Sequence, residues 1–290
     1  MKNLYHLNTK LTGLIGHPIK HTFSPFIHNI SFELNGLDYI YLPFDVPSSN
    51  LKTALKGIVS LGIKGLNVTI PHKENIMLIM NDVSEEASII GSINTIVNDM
   101  GKLTGYNTDV NGIYETLVDY KEEINGSEVS VVGAGGAARA VIYSLIRYFK
   151  PSRIYLINRT EQRAESLKNY FIDKMKFDSF KTLELFPPDL VEVFGNSKLI
   201  VNATSVGMFP ESDDIITTLG SSFTKEQIVF DLVYNPPQTA LLKLAASRGA
   251  ITLDGLKMLV FQAAKSFELW TGEQMPVEKV YKSLQLFIKT

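Results

Sequence analysis

The run Gly133-Ala134-Gly135-Gly136-Ala137-Ala138 constrains this chain more than any other stretch. An apolar strand, Glu128 to Val132, leads into it. A helix, Ala137 to Phe149, leaves it with Ala138, Val141, Leu145 and Tyr148 at helical spacing. Glycines at such a junction let a pyrophosphate approach the backbone, and the helix N-terminus adds N–H donors and a favourable dipole. The competing reading is a tight turn with no ligand. The flanks favour a dinucleotide site with Gly133, Ala134, Gly135, Gly136 and Ala137 as its contacts.

The end of the next strand, Arg153 to Ile157, selects the dinucleotide. Folds that prefer NAD place an Asp or Glu there for the ribose 2′-hydroxyl. This chain reads Ile157-Asn158-Arg159-Thr160. Arg159 can pair with a 2′-phosphate, Thr160 adds a hydroxyl, and Arg163 follows one helical turn later. NADP(H) is therefore the expected cofactor; the plain alternative is arginines on a solvated strand end. Further strands at Lys198 to Asn202, Ile228 to Leu232 and Ile251 to Leu253 complete a doubly wound sheet.

Before the turn the chain also alternates strands and helices. Strands are expected at Leu11 to Gly16, Tyr39 to Asp45, Gly65 to Ile70, Ile93 to Asn98 and Lys102 to Tyr106. Helices are expected from Ser24, with Ser24 as N-cap and Pro25 after it, over Leu51 to Leu61, and from Pro71. Another begins at Asp109 and runs toward Tyr120. This pattern predicts a mainly parallel sheet covered on both faces, an α/β/α layer. The polar stretch Glu122 to Ser127 reads as the approach to a second domain. Two last helices follow Gly255, the first with Leu256, Leu259, Val260, Ala263, Phe267 and Trp270 at helical spacing.

Composition narrows the chemistry. With 290 residues, two domains are expected. There is no cysteine, which excludes disulfides, thiolate metal sites and Cys nucleophiles. The 28 basic and 30 acidic residues balance to a net −2, so no nucleic-acid or membrane partner is expected. No stretch of about 18 apolar residues and no signal-peptide pattern is seen, and a cytoplasmic setting is expected. Every arginine lies between Arg139 and Arg248. An anionic ligand held by the first segment must therefore use hydroxyls, backbone N–H groups or lysine.

Thr22 and Ser24 at a helix start suit a carboxylate in just that way. Asn67, Thr69, Asn94, Thr95 and Asn107 at strand ends suit a polyhydroxylated ligand, or are ordinary turn chemistry. Lys73 near the start of the Pro71 helix would oppose the helix dipole, which eases its deprotonation and suits it to proton transfer. It could equally be an exposed lysine whose stem covers apolar surface. Asp109 reads as an N-cap or as the carboxylate that orients Lys73. His17 and His21 make a poor metal pair, since Pro18 interrupts any helix through them; no metal is expected.

Taken together, these stretches resemble the shikimate dehydrogenase family. The motifs are His21 to Pro25, Asn67 to Lys73, Asn94-Thr95, Gly105 to Asp109, Gly133 to Ala138 and Asn158 to Thr160. They continue through Asn202 to Met208, Asp231 to Pro236, Gly255 to Gln262 and Phe267 to Gly272. The resemblance spans nearly the whole chain. It implies reversible NADP-dependent reduction of 3-dehydroshikimate to shikimate, a step toward chorismate and the aromatic amino acids. Lys73 would be the acid/base and Asp109 its partner. Thr22 and Ser24 would hold the carboxylate; Thr69, Asn94, Asp109 and Gln262 the ring hydroxyls, with Tyr234 nearby. Asn158, Arg159, Thr160 and Arg163 would hold NADP with the turn, Leu232 and Gly255 would approach the nicotinamide, and Glu85 would touch the cofactor at its rim. The implied domains are 1–109 with 255–290 for substrate and 110–254, Rossmann-like, for NADP, the C-terminal helices returning to the first. The implied state is monomer or homodimer, with a small-molecule substrate as partner.

Three positions depart from the family pattern. Thr22 replaces a usual Ser, which leaves open a quinate/shikimate dehydrogenase able to use NAD. Ser92 replaces Ala, a small change, and Val110 replaces Gly, which is expected to stiffen a turn. A non-catalytic NADP sensor on the same fold would be expected to lack the Lys–Asp pair or the substrate hydroxyls, and both are present.

Overall fold

The computed structural model describes residues 6–19, 22–185, 190–217 and 222–289; His21 lies outside them. In chain order the first elements are β1 (Lys10–Gly16), α1 (Ser24–Leu34), β2 (Tyr39–Asp45), α2 (Leu51–Ser60), β3 (Gly65–Val68), β4 (Asp82–Val83), α3 (Glu85–Ile90), β5 (Thr95–Asp99), β6 (Lys102–Tyr106), α4 (Asp109–Leu117) and α5 (Lys121–Ile124). Then come β7 (Glu128–Val132), α6 (Gly136–Ser144), β8 (Arg153–Asn158), α7 (Glu161–Met175), β9 (Phe180–Glu184), α8 (Leu190–Asn196), β10 (Leu199–Asn202), β11 (Ile228–Asp231), α9 (Ala240–Ser247), β12 (Ile251–Leu253), α10 (Gly255–Thr271) and α11 (Val277–Lys289). Two compact units result: Met1–Asn111 with Val260–Thr290, and Gly112–Leu259.

In the first unit the sheet runs β2-β1-β3-β5-β6-β4. β1 pairs in parallel with β2 and β3, while β5 runs antiparallel to both β3 and β6. Trp270 of α10 packs directly against Gly65 on β3. A Cβ there would lie 2.1 Å from Trp270 Nε1, so only glycine lets the indole reach the sheet. That Nε1 donates to the Ile96 carbonyl at 3.0 Å. Gln262 and Ser266 precede Trp270 on α10 at four-residue spacing, hence on the same face.

In the second unit the order is β12-β11-β10-β7-β8-β9, every neighbour parallel. This is the doubly wound order, and its reversal lies between β7 and β10. β10 and β11 are buried along their whole length and read as apolar runs that end in Asn202 and Asp231, as central parallel strands reaching a site should.

Four local expectations change. No α-helix starts at Pro71. Residues 71–74 are turns, followed by a short 3₁₀ segment, Asn75–Ile79. The Lys73 carbonyl is taken by the Ile93 N–H at 2.8 Å instead of by the next turn of a helix. The helix-dipole argument for Lys73 therefore falls. Ser24 is inside α1, and Phe23 occupies the cap position. Asp109 is the first residue of α4, and its carboxylate is committed elsewhere than to capping. Val110 is a buried residue of that helix and stiffens no turn.

The buried polar residues give the first unit a definite acid sensitivity. His28 is fully buried, stacks on Tyr41 at 4.4 Å, and neither ring nitrogen has a hydrogen-bond partner. Burial pushes its pKa from 6.5 down to about 3, with the Asn67 side chain opposing weakly. Below pH 6.5 the unfolded chain takes a proton that the folded chain refuses, so this stability is complete above 6.5 and is lost as pH falls toward 3. The slope is about 1.4 kcal/mol per pH unit. Asp231 in the second unit works the other way. Burial raises its pKa from 3.8 to about 6, so its contribution falls as pH rises through that window. Over about pH 4 to 6 these two contributions nearly cancel, so in denaturant unfolding His28→Leu should gain stability as pH falls through that range and Asp231→Asn should lose it. Unchanged slopes would show that neither residue titrates this way.

Candidate active site

Within the first unit the chain brings one cation and one anion together behind the surface. Lys73 Nζ donates to Asp109 Oδ2 at 2.5 Å, with the side chains 17% and 6% exposed. The other carboxylate oxygen, Oδ1, accepts from Asn94 Nδ2 at 2.8 Å. Asn94 Nδ2 also lies 3.0 Å from Thr108 Oγ1 and 3.4 Å from Gln262 Oε1. Lys73 is held from its backbone by Ile93, and His72 beside it by a 2.6 Å contact with the Val46 carbonyl. A buried, hydrogen-bonded ion pair is stable only when its remaining donors and acceptors are met, and here Asn94 meets the free carboxylate oxygen. An ammonium held this way can give a proton to an oxygen beside it and take it back.

Thr22 and Ser24 are also together. Thr22 Oγ1 accepts from the Ser24 N–H at 3.2 Å and lies 3.1 Å from Ser24 Oγ. Ser24 is buried and Thr22 half-buried. Thr69 is half-buried just after β3, against Gly16, where a Cβ would lie 2.3 Å from its methyl group. Glu85 is exposed in the first turn of α3.

Three of the hydroxyl and amide residues expected to face a ligand are turned inward. Asn107 Nδ2 donates to the Ser92 carbonyl and to Ser92 Oγ, both at 2.9 Å. The unusual Ser92 is thus a built partner for that amide. Asn67 and Thr95 bond one another, at 3.0 Å, and Ser266 of α10. Thr108, from the Gly105 to Asp109 motif, belongs to this cluster, as do Ser266 and Tyr41, which carry no mark in the sequence and join it through α10 and through the sheet.

In the second unit the glycine-rich turn lies at the reversal of strand order, where open α/β sheets bind ligands. Gly133 has φ +116, and a Cβ there would sit 3.0 Å from the Ala203 carbonyl. Gly135 caps α6 with nothing within 4 Å of where its Cβ would be. One glycine is required by close approach and the other leaves open room beside the helix N-terminus; that combination fits a diphosphate. Ala134 is half-buried in the turn, and Gly136 and Ala137 open α6. At the end of β8, Asn158 Nδ2 bonds the Thr160 carbonyl at 2.9 Å. Arg159, Thr160 and Arg163 are exposed, and among the described residues neither arginine has an ion-pair partner. Leu232 and Gly255 meet: a Cβ on Gly255 would lie 2.4 Å from the Leu232 carbonyl. Tyr234 is half-buried two residues beyond Leu232.

Among the described residues no three His, Asp or Glu side chains are grouped to hold a metal ion, and no helix is long and apolar enough to cross a membrane.

Residues 14–96 match the model of the shikimate dehydrogenase substrate binding domain, and residues 255–285 that of the shikimate 5′-dehydrogenase C-terminal domain. A protein of Caldanaerobacter subterraneus subsp. tengcongensis named shikimate dehydrogenase (NADP(+)) is 44% identical over 285 residues, covering 96% of this chain and 97% of that one. A crystal structure of a shikimate dehydrogenase in complex with NADP+ superposes with a TM-score of 0.91 at 37% identity, covering 99% and 98% of the two chains. The shikimate 5-dehydrogenase of Listeria monocytogenes, in complex with shikimate and NAD, superposes at 0.86 with 35% identity and coverage of 98% and 99%. With that agreement from end to end, the chain belongs to the shikimate dehydrogenase family.

Proposed function

We propose that this protein is an NADP-dependent shikimate dehydrogenase that reversibly reduces 3-dehydroshikimate to shikimate in aromatic amino acid biosynthesis. The observation that carries the reading is the Lys73–Asp109 pair, braced by Asn94 and set in an arginine-free first unit. NADPH, when bound, supplies the hydride to the ketone carbon. Lys73 Nζ gives a proton to the ketone oxygen, so that C=O becomes CH–OH, and in the oxidative direction it takes that proton back. Asp109 Oδ2 holds the ammonium in place. Thr22 and Ser24 bind the substrate carboxylate through hydroxyls, and Thr69, Asn94, Asp109 and Gln262 the ring hydroxyls, with Tyr234 beside the ring.

The same reading makes residues 1–109 and 255–290 the substrate domain and 110–254 the NADP domain. Gly133 to Ala137 cradle the diphosphate, and Asn158, Arg159, Thr160 and Arg163 surround the 2′-phosphate. Leu232 and Gly255 serve the nicotinamide end, and Glu85 the rim. It carries with it a cytoplasmic enzyme, monomeric or homodimeric, whose partner is a small molecule and not nucleic acid.

The test is absorbance of reduced nicotinamide with shikimate and with quinate, each with NADP+ and NAD+. Shikimate with NADP+ should give the highest kcat/KM. A faster reaction with quinate and NAD+ would instead assign the quinate/shikimate activity that Thr22 leaves open, and no reaction in any arm would refute the function.

A further inference from the structure

We propose that Tyr41, Asn67 and Thr95 are positioning residues for the Lys73–Asp109 pair, forming a one-way line of hydrogen bonds that fixes which way the Asn94 amide faces. This rests on the function proposed above and deepens it.

The direction of the line follows from groups that can only donate or only accept. Asn67 is buried at the centre of the sheet, and its Nδ2 lies 3.3 Å from the Asn94 carbonyl, 3.0 Å from Thr95 Oγ1 and 2.9 Å from Ser266 Oγ. A carbonyl only accepts, so the group facing it must be the NH₂, and Asn67 Oδ1 must face the other way. There it accepts from Tyr41 Oη at 2.8 Å. Thr95 Oγ1 accepts from Asn67 and has one proton of its own. Of its neighbours, Ser266 Oγ at 2.8 Å and Thr108 Oγ1 at 3.2 Å are hydroxyls able to donate to it, whereas Asn94 Oδ1 at 3.0 Å can only accept, and takes that proton's hydrogen bond. The same Asn94 oxygen accepts from the Thr108 backbone N–H, which only donates, at 2.7 Å. Asn94 is thereby set with its oxygen toward Thr95 and Thr108 and its NH₂ toward Asp109 Oδ1. Reversed, it would set two oxygens 2.8 Å apart in a buried site. Asp109 Oδ2 is then left for Lys73.

Tyr41 is the starting point because it is fully buried and its phenol supplies the donor that Asn67 Oδ1 requires. With that donor gone, Asn67 keeps its NH₂ contacts to the Asn94 carbonyl, Thr95 and Ser266, but its buried oxygen loses the phenol and the amide is held less firmly. A loosened Asn67 holds Thr95 less firmly against Asn94 Oδ1, which then depends more on the Thr108 N–H.

The experiment compares Tyr41→Phe, Thr95→Val and the double variant in the shikimate assay. Tyr39→Phe serves as control, because it removes a hydroxyl from the same strand that bonds the Trp270 carbonyl outside the line. Each of the first two should lower kcat about tenfold with KM for shikimate changed less than about threefold, and the double should be little worse than either single, since both cut one line. Tyr39→Phe should keep the parent kcat. Side-chain amide hydrogen exchange of Asn94, followed by NMR, should be faster in Tyr41→Phe than in the parent and Tyr39→Phe. Multiplying effects in the double variant, a parent-like kcat in Tyr41→Phe, or equal losses in both tyrosine variants would overturn the line. A parent that does not oxidise shikimate would overturn the function instead, and Asn94 exchange would still judge the line: equal exchange in parent and Tyr41→Phe refutes it.

Discussion

Lys73→Ala is expected to turn over shikimate about 10²–10⁴ times more slowly than the parent while NADPH binding survives. Among the described residues Lys73 is the one cation in hydrogen-bond contact with the Asp109 carboxylate, and truncation to Ala would remove the proposed proton donor without touching the dinucleotide turn. Reduction of a ketone leaves charge on oxygen unless a proton arrives with the hydride, so the loss falls on kcat and not on cofactor affinity. The substitution also strands Asp109, whose side chain is 6% exposed, without its partner. Some loss of stability should accompany it. Thermal unfolding and quenching of the protein's fluorescence by NADPH separate the two effects. Turnover at the parent rate by a folded, NADPH-binding Lys73→Ala protein would remove Lys73 from the mechanism.

Arg159→Ala should lower kcat/KM for NADP+ by about 10–100-fold and leave the value for NAD+ nearly unchanged, the equivalent of losing one charge-assisted contact worth roughly 1.5–3 kcal/mol. Arg159 is exposed at the end of β8 and carries no ion pair among the described residues, so little in the protein itself should respond to its removal. The discriminating quantity is the ratio of the two cofactors, which cancels any general damage. Equal losses with both would mean that Arg159 serves a part of the dinucleotide common to them, or the fold.

Much of this was legible before any coordinates, because the signals were local. The strand, glycine turn and helix around Gly133 are consecutive in sequence, and β10 and β11 announce themselves as apolar runs. Arg159 is readable because strand ends lie a fixed distance after such a turn. What failed was governed by partners far away in the chain. Pro71 looked like a helix start, but a backbone N–H at Ile93, twenty residues on, captures the carbonyl that a helix would need. Asn67, Thr95 and Asn107 were legible as strand-end polar groups, but the choice between ligand and local bonding stayed open, because facing inward is decided by the neighbours across the sheet and not by residue type. Ser266 had no signal: its importance comes from lying one turn from Trp270 on a helix that reaches back across the sheet. β9 and α7 lacked a clear apolar period and were missed as well.

The seating of Trp270 over Gly65 has a consequence for how the molecule is made. The second unit is one uninterrupted stretch, Gly112–Leu259, whose sheet is complete once its own residues exist. The first unit is not: its sheet waits for an indole that emerges about 170 residues after the last of its strands, β6 at Lys102–Tyr106. During synthesis the second unit can settle while Gly65 is still bare and Asn67 still lacks Ser266. The proposed proton-transfer pair thus gains its support from Gln262 and Ser266 only late in synthesis, although its charged residues leave the ribosome early.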